Sequence, residues 1–143
     1  MNIQVLWVSN GFVIATSVSK IVQKKFSTNL LSKMGLEKCK PAVSPMDSGI
    51  YKRLQDLEQE LDMKKATVYR EVTGSLIWLS TISRPDISFA VGLAARFMSN
   101  LTQLHWEMVQ RIARYVAGTV KVGITLGGDS TLTAYCDSDS ASF

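Results

Sequence analysis

Apolar positions along the chain change rhythm several times, and each rhythm predicts a different element. Two apolar runs, residues 3–8 and 12–15, flank Asn10-Gly11. An Asn-Gly pair tolerates the positive φ that a type I′ turn needs at both central positions, so a β-hairpin is expected there. The period then becomes helical. Val18, Ile21, Val22, Phe26, Leu30, Leu31 and Met34 approximate one face, lysines take other positions, and Gly35 supplies a C-terminal stop, which predicts an amphipathic helix over 18–34. Pro41 and Pro45 remove backbone donors, so residues 38–50 read as an extended loop wrapping over the surface. Residues 51–65 mix both charge signs around Leu54, Leu57 and Leu61 and read either as loop or as a short solvated helix.

Three further helices follow. The first carries Val68, Val72, Leu76 and Leu79 on one face and ends before Arg84-Pro85. The second begins at Pro85, where a missing N–H is no loss, and shows Ile87, Ala90, Val91, Ala94, Phe97 and Met98 as its buried stripe up to Asn100. The third starts after Thr102, a good N-cap, presents Trp106, Val109, Ala113 and Val116 inward and closes at Gly118. Beyond it the period is that of strands, 122–126 and 131–137, around a turn at Gly127-Gly128-Asp129-Ser130. The expected fold is α+β: an N-terminal β-hairpin, about four helices and a C-terminal β-hairpin, together a partial domain.

Composition keeps this picture within ordinary globular proteins, with 143 residues, 46% hydrophobic and 20% charged. No apolar stretch approaches the ~20 residues of a spanning helix, and the N-terminus has no secretory pattern. Cys39 and Cys136 then read as reduced thiols of an intracellular protein. Charge is unevenly placed: residues 1–50 hold six lysines against Glu37 and Asp47, accounting for the whole net +4, whereas residues 51–143 hold ten basic and ten acidic groups. The basic cluster of Lys20, Lys24, Lys25, Lys33, Lys38 and Lys40 fits either phosphate contact or a solvated helix face.

Catalytic chemistry is sparse. Asp137 and Asp139, two apart on a strand, would face one side and reach one ion, but a two-metal site needs further carboxylates. The sole histidine, His105, has no neighbouring Cys or His for zinc, and Gly127-Gly128 lacks the Lys-Ser/Thr of a phosphate loop. Trp78, Phe89, Phe97, Met98, Trp106 and Tyr115 fall at helical spacing, which favours core over a stacking platform.

Several stretches resemble the Ty1/copia-type retrotransposon polyprotein, where the end of its reverse transcriptase joins the start of its ribonuclease H. They are Lys33-Met-Gly-Leu-Glu-Lys-Cys-Lys-Pro41 with Ser44-Pro-Met46, then Tyr69-Arg70, Gly74-Ser75-Leu76 and Leu79, then Arg84-Pro-Asp-Ile-Ser-Phe-Ala-Val-Gly92. Arg96-Phe97, His105-Trp106, Arg114-Tyr115 and Gly118-Thr119 follow in the family's order, and Leu132-Thr-Ala-Tyr-Cys-Asp-Ser-Asp139 is similar to the first ribonuclease H strand. The sequence differs where Leu101 replaces a usual proline, Ala117 a usual lysine and Ser140 a usual tryptophan.

The resemblance implies three segments: residues 1–50 as palm end and thumb, 51–120 as a helical connection, and 121–143 as the first strands of a ribonuclease H-like domain. It implies that Asp137 matches the first metal-binding aspartate, with Asp139 a weaker match, and that Mg²⁺ serves the parent enzyme. No adjacent Asp-Asp occurs in the chain, so the polymerase site of that family is not among these residues. For this chain the expectation is a catalytically incomplete fragment or remnant without a cofactor of its own. Lys20, Lys24, Lys25 and Lys33 would meet the backbone of RNA, DNA or an RNA–DNA hybrid, and exposed strand edges would favour self-association. The alternatives are a segment of an active RNA-directed DNA polymerase with ribonuclease H, and a stand-alone basic nucleic-acid-binding module.

Overall fold

A computed structural model describes residues 19–50, 63–99 and 101–127. In chain order these form strand β1 (Ser19–Ile21), helix α1 (Lys24–Lys33), helix α2 (Met63–Ile82), a 3₁₀ turn (Pro85–Ile87), helix α3 (Ser88–Ala95), helix α4 (Gln103–Gly118) and strand β2 (Ile124–Leu126). Strands β1 and β2 are paired antiparallel neighbours, so the class is α+β. The described residues between 20 and 124 make one compact unit. The expected hairpin over 3–15, Asn100 and the strand over 131–137 lie outside the described residues, as does most of 51–65.

The helix expected over 18–34 begins only at Lys24. Residues 19–21 are strand instead, because pairing with β2 outweighs a weak helical period at a site flanked by β-branched Val18, Ile21 and Val22. Gly35 ends α1 with φ of 66°, the left-handed conformation a C-terminal stop needs.

On α2 the buried stripe is Ala66, Tyr69, Val72, Leu76 and Leu79. Val68, expected on that stripe, is partly exposed. Tyr69 takes the central place because its hydroxyl, fully buried, donates to the carbonyl of Ala94 at 2.7 Å, satisfying the polar end of a large apolar ring. Pro85 punctuates α2 from α3 as expected, through a 3₁₀ turn. Helix α3 stops at Ala95, short of the expected Asn100, because the amides of Arg96 and Phe97 turn back to Leu93 and Ala94 at 3.2 Å each. That tightening swings Phe97 onto His105, with ring centroids 4.2 Å apart.

The main core joins Leu30 of α1 to the α2 stripe, to Ile87, Ala90, Val91 and Ala94, and to Val109, Ile112 and Val116 of α4. A smaller cluster gathers Ile50, Leu93, Leu104 and Met108, with Met46 and Phe97 against it. Leu101 is buried in the main core. Two aromatic side chains expected there are outside it: Trp78 is 53% exposed and Phe89 68% exposed. Both sit on helix faces turned away from the buried stripe, whose small and aliphatic residues already fill the space.

The loop after α1 is laced to α4. Ala42 N donates to the Arg114 carbonyl at 3.3 Å, Arg114 Nε donates to the Lys40 carbonyl at 2.8 Å and Arg111 Nη2 donates to Ser44 Oγ at 3.1 Å. Pro41 lies so close to Gly118 that a Cβ there would stand 2.8 Å from Pro41 Cβ. Gly118 is thus the last helical residue, required by close approach rather than by a positive φ.

Candidate nucleic-acid interface

The lysines singled out by charge do not behave alike. Lys24 and Lys25 open α1, and Lys20 lies on β1, all three exposed. The first turn of α1 contains no acidic residue, and Gln23 before it makes no side-chain capping bond. Cations at that end oppose the helix macrodipole, at about 0.3–1 kcal/mol each. Their effect is to add positive potential to the already positive end of α1, open to solvent.

Lys33, at the other end of α1, is instead ion-paired to Glu71 of α2. It favours the dipole there, and its charge is partly neutralised. Gln23 Oε1 accepts from Ser83 Oγ at 3.3 Å, so α1 runs antiparallel to α2, with its basic start beside the end of α2. Trp78 stands on the outer face of α2, seven residues from Glu71, which is about 10 Å along a helix.

Arg84 serves the fold. Arg84 is 1% exposed; its Nε and Nη2 donate to the two Asp86 oxygens at 2.9 and 2.8 Å, and its Nη1 and Nη2 donate to the Thr119 carbonyl and hydroxyl at 3.0 and 2.7 Å. Tyr115 completes the clasp, its hydroxyl donating to Asp86 Oδ2 at 3.1 Å and its ring 5.5 Å from the Arg84 guanidinium carbon. Hydrogen bonds from Arg84 hold the Asp86 carboxyl below the usual carboxylate range, while burial and then Asp86 push the Tyr115 phenol up. The charge is spent inside the clasp, so Arg84 offers nothing to a ligand.

His105 likewise serves the fold: its Nδ1 accepts the Thr102 amide at 3.0 Å, closing the start of α4. Arg70 Nε donates to the Met98 carbonyl at 3.0 Å. Arg70, Arg84, Asp86, His105, Tyr115 and Thr119, all within stretches that carried the family resemblance, thus sit at joints of the helical fold. Among the described residues no group of His, Cys, Asp or Glu could hold a metal ion, and no helix is long and apolar enough to cross a membrane. Asp137 and Asp139 lie outside the described residues.

Known proteins share this sequence over most of its length. A retrovirus-related Pol polyprotein of a tobacco transposon is 34% identical over 125 residues, covering 83% of this chain and 9% of that protein. One from an Arabidopsis thaliana transposon is 36% identical over 119 residues, covering 82% of this chain and 8% of that protein. An uncharacterized mitochondrial protein of Arabidopsis thaliana is 31% identical over 119 residues and is covered to 48% of its length. The chain thus spans less than a tenth of the two polyproteins. No protein-family model matches it, and no solved structure matches it.

Proposed function

From a chain homologous to one segment of the copia-type retrotransposon Pol polyproteins, we propose a sequence-independent holding surface for a nucleic-acid backbone, without catalysis of its own. The observation that carries the reading is the exposed trio Lys20, Lys24 and Lys25 at the acid-free start of α1. Lysines in that setting neutralise phosphates without reading bases, and each contact releases counterions. Trp78, exposed on the neighbouring helix, adds a flat ring of the kind on which bases stack. Lys33 contributes less, because Glu71 competes for it.

Within a whole polyprotein the same segment would link a polymerase to a ribonuclease H. Asp137 would there be the first carboxylate for Mg²⁺, the ion that supplies charge neutralisation in phosphodiester hydrolysis.

The test is binding to an RNA–DNA hybrid across a salt series, for the full chain and for Lys20, Lys24 and Lys25 replaced together by Ala. Loss of three contacts should flatten the slope of log K against log salt by about 2 to 3. An unchanged slope removes the reading. Hydrolysis of the hybrid by the purified chain, abolished by Asp137→Ala, would refute the absence of catalysis.

A further inference from the structure

The outer face of α3 carries both halves of a self-complementary contact. Phe89 is largely exposed, a projecting knob. One turn on, nothing lies within 4 Å of where a Cβ of Gly92 would stand, and Ser88, Phe89, Gly92, Leu93 and Arg96 line a shallow hollow of about 170 Å³. Arg96, at its end, makes no ion pair among the described residues. Asp86, at the start of the same stretch, keeps a third of its side-chain surface open despite the Arg84 clasp.

A two-fold contact requires that one patch fit itself. Laying α3 antiparallel on a second α3 so that Phe89 meets Gly92 of the partner subunit also sets residue 95 opposite residue 86. The same operation therefore brings Arg96 level with Asp86 of the partner subunit, twice over. Knob meets hole and cation meets anion in a single register. A phosphate backbone would find a single cation here, whereas a second Phe89 finds the open space over Gly92.

We propose that two copies of this chain associate through antiparallel α3 helices, each Phe89 seated over the partner's Gly92 and each Arg96 paired with the partner's Asp86. Eight residues of helix are about 12 Å long, so the contact falls below the ~1,200 Å² of a standard interface and is transient.

Sedimentation equilibrium of the full chain up to about 500 µM, with helicity checked by circular dichroism, tests this. The parent should reach a monomer–dimer equilibrium and stop at the dimer. Gly92→Glu, which meets open space in the monomer, should weaken association more than 30-fold; Phe89→Ser should weaken it more than 10-fold. Val43→Ser removes an apolar side chain that is 97% exposed on the loop over α4 and should change nothing. A strictly monomeric parent, growth beyond the dimer, association indifferent to Gly92→Glu, or equal loss with Val43→Ser would each overturn the proposal.

Discussion

Replacing Arg84 by alanine should be the most damaging single change among the charged residues. Its guanidinium donates four hydrogen bonds, two to Asp86 and two to Thr119, at 2.7 to 3.0 Å, and the side chain is only 2% exposed. Removing one partner of a buried ion pair costs about 3–5 kcal/mol, because the remaining groups lose their partner without regaining full hydration. Asp86 is one-third exposed and recovers some water, which places the expected loss near the lower bound, about 3 kcal/mol. The half-buried Thr119 carbonyl also loses its donor, which adds to the cost, so about 3 to 4 kcal/mol is the working figure. Arg84→Lys keeps the charge but forfeits the fork, and should fall between the alanine variant and the parent. Tyr115→Phe deletes one partly solvated bond and should cost about 0.5–1 kcal/mol. Urea unfolding followed by circular dichroism measures all three. A loss below about 1 kcal/mol for Arg84→Ala would refute the clasp as a stabilising joint, as would equal losses for the Lys and Ala variants.

Other outcomes follow from the same geometry. Because Asp86 is held below its ordinary range, its contribution is present above the unfolded carboxylate range and is lost as pH falls through the lower folded value; acid titration of Asp86→Asn should show a shallower fall in stability. Burial pushes the Tyr69 phenol up to about 12, so the stability it confers is intact below about pH 10, the unfolded value, and disappears as pH rises toward 12. Tyr69→Phe should remove that alkaline loss and cost about 1 kcal/mol at neutral pH for the bond to Ala94. Gly118→Ala drives a methyl against Pro41 and should destabilise by about 1–3 kcal/mol, read as a lower unfolding midpoint in urea.

The sequence made the helices from residue 63 onward legible because Pro85, Thr102 and the apolar stripes each act locally. Arg84 and Asp86 are only two residues apart, but the other partner of Arg84, Thr119, lies 35 positions away. Lys33 with Glu71 was not legible, since those partners are 38 residues apart. Helical spacing placed Trp78 and Phe89 in the core because it marks which residues share a face, but not which face a neighbouring helix covers. The burial of Tyr69 was not legible, because the acceptor that permits it, the Ala94 carbonyl, belongs to a different helix. Of the candidate interface, the exposure of Lys24 and Lys25 followed from their place on α1. The pairing of β1 with β2 did not, because it joins segments about a hundred residues apart.

The lacing of the 36–50 loop onto α4 has a bearing on the order in which the chain acquires its shape. Lys40 waits for Arg114 across 74 positions and Ser44 for Arg111 across 67, while Tyr69 finds Ala94 across only 25. Closing a longer loop costs more entropy and is slower. During synthesis, the α2–α3 pair has its partners in hand before α4 leaves the ribosome, and the loop bearing Cys39, Pro41 and Ser44 stays unseated until then. That interval exposes the loop and the facing core to proteases and to neighbouring chains, and it ends only when α4 arrives.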